Sequence, residues 1–379
     1  MQEGDQFLRA AQGEFVLQRL PQRPRELLRA FDAADEYLLE AVADLPPDAR
    51  VLVLNDNFGA LAVALSAWRP CAMSDSYLSQ QATRMNLAAN SLPETAVELM
   101  DSLAPLNGEF AWVLVKVPKT LALLEAQLLR LRPHVTAGTQ VILAGMVKNL
   151  PASVWALVER LLGETKTALA KKKARLIYVK PDLTLPIPRN PYPVYYTLEN
   201  TRYLIANHAN VFSRDSLDIG TRFFLQHLPV RPGAKDILDL GCGNGVVGLV
   251  AAERNPSAML HFVDESFMAT ASAQENFRHA FGATRAARFW VGDGLTGTAS
   301  DSADLILCNP PFHQQNTVGD QIAFSMFKES RRVLRNGGEL WVVGNRHLDY
   351  HKQLKRLFGN AQVIASNTKF VILNTARFS

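Results

Sequence analysis

Asn309-Pro310-Pro311-Phe312 is the stretch of this chain whose residue types could most directly do chemistry. It follows an apolar run, Asp304-Leu305-Ile306-Leu307-Cys308, that reads as a buried strand. Two consecutive prolines fix two φ angles and remove two donors, so the strand must end there in a rigid elbow. That elbow would present the Asn309 side chain and the Pro310 carbonyl as two acceptors aimed at one point, with Pro311 stiffening the bend and the Phe312 ring beside it. An exocyclic amine on a planar ring fits the arrangement, both N–H groups donating while the ring face stacks on Phe312. A Pro-Pro pair alone is usually only a loop. The residues upstream decide otherwise.

Asp239-Leu240-Gly241-Cys242-Gly243-Asn244-Gly245 joins an expected strand to a helix beginning near Val246. Glycines there let the backbone turn sharply and approach a ligand closely. The lysine of a phosphate-binding loop is absent, and the carboxylate of Asp239 leads in, which suits hydroxyls or a cation better than a pyrophosphate. Asp264, ending the next strand, is placed to accept from ribose hydroxyls. Gly292-Asp293-Gly294 offers Asp293 to a nucleobase amino group. Asp239, Gly241, Gly243, Asn244, Asp264 and Asp293, with Asn309 adjoining, thus describe a pocket for a nucleoside carrying a positive charge, which is S-adenosylmethionine. A nicotinamide dinucleotide would also use a second-strand acid, but Asn-Pro-Pro-Phe has no role in hydride transfer.

These residues need strands to carry them, and the chain supplies two sets. At 379 residues it is too long for one ordinary core. Strands alternate with helical stretches in both halves, which predicts two tandem α/β domains, each a Rossmann-like, doubly wound, mostly parallel sheet. Val51-Leu52-Val53-Leu54 matches Ile237-Leu238-Asp239-Leu240, and Met73-Ser74-Asp75 matches Phe262-Val263-Asp264. The strand before Lys116 matches the one before Asn309, and Gly138 to Gly145 has the spacing of Gly337 to Gly344. Four landmarks in one order imply an internal duplication, and hence a monomer that is its own pseudo-dimer of domains. The first copy is degenerate: Gly59 stands alone in its loop, and Lys116-Val117-Pro118-Lys119 replaces the elbow. It is expected to bind no cofactor, and to hold RNA through Lys116, Lys119 and the Lys171-Lys172-Lys173-Ala174-Arg175 cluster or to give structural support. The expected limits are 1–179 for the degenerate domain, 180–200 for a proline-rich linker and 201–379 for the catalytic domain. Residues 15–45 carry helical spacing, with Leu27, Leu28, Phe31, Tyr37, Leu38, Leu39 and Val42 as a stripe. Val194 to Leu198 and Arg202 to Ile205 read as a hairpin.

Composition narrows the class. Apolar content of 48% and charged content of 20% are those of a soluble globular protein, and no apolar run approaches membrane-spanning length. The N-terminus is unlike a targeting peptide, so a cytoplasmic protein without membrane contact is expected. Cys71, Cys242 and Cys308 are too scattered for a zinc site or disulfides, and the histidines lack ligand spacing, so no metal is expected. A net charge of +4 permits contact with nucleic acid without arguing for it.

With these residues in view, the chain resembles the ribosomal RNA guanine-N2 methyltransferases that carry two tandem methyltransferase-like domains, the N-terminal one degenerate. It is most similar to the large-subunit member, with the small-subunit member second. The resemblance rests on Asp239 to Gly245, Asp264-Glu265-Ser266 and Asn309-Pro310-Pro311-Phe312-His313-Gln314-Gln315. It also rests on Asn207 to Ser213, Leu217 to Phe224 and Asn345-Arg346-His347-Leu348-Asp349-Tyr350. It implies methyl transfer from S-adenosylmethionine to the N2 amine of a guanine in 23S ribosomal RNA, with the base splayed or flipped from its helix. It further suggests that Phe212, Asp218 and Thr221 line the cofactor mouth; helix capping by Asp218 is the plain alternative. The Asn-Pro-Pro-aromatic element by itself serves adenine-N6 and protein glutamine-N5 methylation equally. From a different class, the rival is an RNA-binding ribosome-assembly factor without activity.

Overall fold

The structure, a computed structural model, describes residues 6–22, 26–311 and 317–378. Phe312, with His313, Gln314 and Gln315, lies outside the described residues. The chain divides into two compact units, Met1–Pro191 and Tyr192–Ser379.

In the first unit a seven-stranded sheet runs in the order Glu98–Asp101, Cys71–Ser74, Val51–Leu54, Trp112–Lys116, Gln140–Met146, Ala174–Val179, Thr165–Thr167. The first five strands are parallel, and Ala174–Val179 is antiparallel to both its neighbours. The second unit repeats this order and these directions as Ala287–Val291, Met259–Asp264, Asp236–Leu240, Ala303–Cys308, Leu334–Asn345, Phe370–Ala376, Gln362–Ser366. Period-two burial explains the central strands. Val51 and Val53 enter the core on one face while Leu52 and Leu54 enter the core on the other. Ile237 and the pair Leu238 and Leu240 divide in the same way.

The sheet register refines the correspondence between copies. Leu54 lies beside Met73 and Val115, as Leu240 lies beside Val263 and Cys308. One residue further on, Asn55 therefore corresponds to Gly241, Lys116 to Asn309 and Ser74 to Asp264. The acids alone would pair Asp75 with Asp264, and the register corrects this by one position. Hydrogen bonds agree with the register. Ser74 Oγ accepts Ser76 N at 3.1 Å, as Asp264 Oδ1 accepts Ser266 N at 3.0 Å, and Ser76 and Ser266 each cap the next helix.

The helical spacing over 15–45 is realised only in Ala33–Ala41. Asp32 opens that helix: its carboxylate accepts Ala34 N, and the Asp35 carboxylate accepts Asp32 N at 2.8 Å, a reciprocal cap that fixes the start. Upstream, Phe7–Ala10 pairs with Gly13–Val16, and Leu27 and Leu28 of the expected stripe are exposed. The second unit carries the expected hairpin, Val194–Thr197 against Leu204–Asn207. Among the described residues no helix is long and apolar enough to cross a membrane.

Candidate active site in the second unit

Strand order reverses between Asp236–Leu240 and Ala303–Cys308, so the segments leaving their C-terminal ends flank a crevice, where doubly wound sheets bind ligands. The glycine loop leaves the first of these strands. Gly241, Gly243 and Gly245 have φ of +69°, +53° and +80°, a region that L side chains rarely adopt. Gly245 is also required by contact, because a Cβ there would lie 2.8 Å from Ala273 Cβ. At Gly243 an added Cβ would meet nothing within 4 Å, so this part of the loop presents bare backbone to open space. Asp264 Oδ2 accepts Gly243 N at 2.9 Å, which joins the loop to the end of the second strand.

Asp239 sits lower than the sequence suggests. It is only 2% exposed, beneath the loop, with Oδ2 accepting Gly248 N at 2.7 Å. Burial, and then the negative charge of Asp264, push its carboxyl up to about 8. Asn244 is buried and turned to the hairpin, its Nδ2 donating to Asn207 Oδ1 at 2.8 Å and to the Tyr196 hydroxyl at 3.1 Å. Asp293 is exposed at its Gly292–Gly294 turn. Cys242 and Cys308 are free and fully buried, and burial pushes both thiols well up, so neither is a nucleophile.

At the elbow, Pro310 is buried and Pro311 exposed. Asn309 Nδ2 donates to Thr221 Oγ1 at 2.9 Å, while Asn309 Oδ1 is buried without a hydrogen-bond partner. An unmet buried acceptor costs about 1–3 kcal/mol. The protein carries that cost at one atom beside the glycine loop, where an incoming N–H group would relieve it. Sequence reasoning placed Asn309 here but missed how its amide is held.

It also missed Asn276. This buried amide accepts Ala206 N at 2.7 Å and donates to Ala206 O at 3.0 Å and to Asn244 O at 2.9 Å, tying hairpin to glycine loop. In the first unit Asn86 does the same, accepting Gln18 N and donating to Gln18 O and Phe58 O. The signal was available: Asn86 and Asn276 occupy the same position in Tyr77–Ala89 and Phe267–Phe281.

In the first unit a lysine takes the register position of the elbow asparagine. Lys116, in the register position of Asn309, is 8% exposed and contacts Asp32 at 2.8 Å and Asp35 at 2.6 Å. Burial works to lower its pKa, yet the two carboxylates outweigh burial and hold the ammonium charged. Asp56 caps the next helix, its Oδ2 accepting Leu61 N at 2.8 Å and Ala62 N at 2.9 Å. The expected contact of Lys116 with phosphate is therefore corrected: a paired, buried ammonium cannot reach one. Lys171 and Lys172 bind Glu40 and Glu36, which neutralises part of the basic cluster. Arg335 bridges Asp236 and Asp304 at the opposite end of the strands. Among the described residues no group of His, Cys, Asp or Glu is arranged to hold a metal.

Residues 5–183 match the family described as the RLMG N-terminal domain, and residues 202–374 match the methyltransferase small domain. A ribosomal RNA large subunit methyltransferase G from Aeromonas salmonicida is 52% identical over 374 residues, 98% of this chain and 99% of that protein. Its counterpart from Stutzerimonas stutzeri is 50% identical over 362 residues, 95% of this chain and 96% of that one. Among solved structures, a T. thermophilus 16S rRNA N2 methyltransferase in complex with AdoMet and guanosine shares the fold with a TM-score of 0.77. At 21% identity, that match covers 98% of this chain and 97% of that one.

Proposed function

This chain belongs to the ribosomal RNA large subunit methyltransferase G family, and on that premise we propose that it methylates the exocyclic N2 amine of a guanine in 23S ribosomal RNA in the cytoplasm. Its cofactor is S-adenosylmethionine. The observation that carries the amine assignment is the orphaned, buried Oδ1 of Asn309 at the mouth of the crevice. The guanine assignment rests on the wider run around it, Asn309 to Gln315, and on Asn207 to Ser213.

The residues present fit the cofactor. The open backbone at Gly243, flanked by Gly241, would pass the methionine portion, and Asp264, fixed by the loop and helix it joins, would take the ribose hydroxyls. Asp293 would face the base, and Asn244 would contribute through the loop backbone that its side chain anchors. Bound there, S-adenosylmethionine supplies a methyl group activated on a sulfonium. Asn309 Oδ1 and the Pro310 carbonyl accept the two N–H groups of the substrate amine, drawing its lone pair out of conjugation and toward the methyl. From the sequence, Phe312 is the residue expected to stack the base. Alignment dominates the barrier of an in-line displacement, so a rigid proline elbow suits the task, and the methylated nitrogen can lose its proton to solvent. Transfer of label from the cofactor to ribosomal RNA, followed by nucleoside analysis, tests the proposal: N2-methylguanosine supports it. Label in N6-methyladenosine, in glutamine, or in neither RNA nor protein rejects it.

Asp239 gives a second test. At pH 7 its carboxyl, shifted from 3.8 to about 8, is largely protonated in the unliganded protein. A cationic ligand favours the ionised form, so binding should release a proton below pH 8 and tighten as pH rises toward that value. Calorimetry in buffers of different ionisation heat reads the release directly. Equal heats in all buffers at pH 7 would reject the coupling. The sign for folding is opposite to that of a salt-bridged carboxylate. The folded state holds this proton more tightly, so the group's contribution to stability falls as pH rises from 3.8 to about 8.

A further inference from the structure

We infer that Asp218 and Thr221 form a hydrogen-bond relay that sets which end of the Asn309 amide faces the substrate, which makes them positioning residues for methyl transfer. The inference rests on the reading of Asn309 as the residue that binds the amine. Asp218 caps the helix Ile219–Gln226, and its Oδ2 accepts both Thr221 N at 2.8 Å and the Thr221 hydroxyl at 3.2 Å. A carboxylate only accepts, and a hydroxyl has one proton. That proton goes to Asp218, so Thr221 Oγ1 can only accept on its other side. What it accepts is Asn309 Nδ2, at 2.9 Å.

The nitrogen end of the amide is thereby committed, and Oδ1 is left as the end that has no partner. Turning the amide over would set its oxygen against the lone pairs of Thr221 and carry Nδ2 into the crevice. The site would then offer a donor to an amine, which is itself a donor. The orientation also selects. An unpaired acceptor welcomes an amino group and repels a ring carbonyl at the same place. Packing keeps the relay in register, because Gly220 lies so close to Phe370 that a Cβ there would be 2.9 Å from its ring. Thr221 itself is buried, so water does not compete for its lone pairs.

Three variants test the relay: Thr221→Val, which keeps the shape and removes the acceptor; Thr221→Ser, which keeps the acceptor; and Asp218→Asn. In the last, the amide oxygen must keep the place of Oδ2 to accept Thr221 N, so the Thr221 hydroxyl still donates to it and the relay keeps its polarity. Asn caps a helix as well as Asp does, so the fold should be preserved. Single-turnover rates at saturating cofactor and RNA should fall by about 10- to 100-fold for Thr221→Val, the scale of a misplaced catalytic group. Thr221→Ser and Asp218→Asn should retain most of the rate. Cofactor affinity should stay near that of the unmodified protein in all three, and the melting temperature should fall only in Thr221→Val, where Asn309 Nδ2 loses its acceptor. An unchanged rate in Thr221→Val would overturn the relay, and so would an equal loss in Thr221→Ser. So would a loss confined to cofactor affinity, which would make Thr221 a wall of the cofactor mouth instead. The unmodified chain, run alongside, separates the two readings. The identity of its methylated nucleoside tests the guanine assignment, whereas the ratio of variant to unmodified rates tests the relay on whichever amine is methylated. A chain that methylates no amine overturns both.

Discussion

Asn309→Ala should lower the rate of methyl transfer by about 10²–10³-fold, the usual consequence of removing one preorganised hydrogen-bonding group from a reacting centre. Cofactor affinity should be nearly unchanged, because the glycine loop and the carboxylates at Asp239 and Asp264 are built from other strands. The loss should appear in single-turnover rates at saturating substrate, since the bond from Asn309 strengthens as the amine leaves conjugation. Folding should not suffer: the substitution removes a buried acceptor that has no partner in the unliganded chain. It also leaves Thr221 Oγ1 without the donor it now holds, so any stability gain will be small. Asn309→Asp should be as inactive near neutral pH. A carboxylate there would face a Thr221 hydroxyl already committed to Asp218, with no donor to hold it in place. Normal turnover by Asn309→Ala with cofactor still bound would mean that the elbow is not the catalytic element.

Lys116→Ala should destabilise the first unit by about 3–5 kcal/mol, the cost of leaving a buried charge uncompensated. Asp35 is buried beside that ammonium, and burial, set against the attraction of Lys116, already raises its carboxyl to about 6. Without the cation it would rise further. A carboxyl held above its unfolded value favours the fold only while protonated, so the variant should regain stability as pH falls and lose most near neutrality. Lys116→Met, which fills the space with an apolar chain, should behave similarly, because the unpaired carboxylates and not the cavity set the cost. Urea unfolding followed at pH 5 and pH 7.5 checks both the size and the sign. A loss that ignores pH would show that packing of the lysine stem matters more than its charge. With Gly59 alone in its loop and Lys116 in the place of Asn309, the first unit should bind no cofactor, and calorimetry should find one equivalent per chain.

The legible and illegible parts of this protein divide by range. The strands Val51–Leu54, Trp112–Lys116, Asp236–Leu240 and Ala303–Cys308 announce themselves because burial on both faces requires unbroken apolar runs, a local property. The glycine loop and the elbow are equally local. Gly245 is dictated by its φ and its closeness to Ala273, and Pro310-Pro311 by the proline ring itself. Where local pattern misled, a single polar contact was usually the cause. The helix expected over 15–45 starts only at Ala33 because the Asp32–Asp35 cap outweighs the weaker apolar stripe before it. Asp75 was matched to Asp264 by residue type, and only strand register revealed Ser74 as the equivalent.

By itself, then, the sequence determined the two tandem sheets, the glycine loop and the proline elbow, since each follows from spacing and backbone stereochemistry over a few neighbours. Tertiary structure alone decided three things: that Asp239 lies beneath the loop with a raised pKa, that Lys116 is buried against Asp32 and Asp35, and that the Asn309 amide commits its nitrogen to Thr221 and leaves its oxygen without a partner. Each depends on groups brought together from distant segments, 88 residues apart for Asn309 and Thr221 and 81 for Lys116 and Asp35. Desolvation and hydrogen-bond polarity are properties of such assembled neighbourhoods, and no stretch of sequence contains them until the chain has folded.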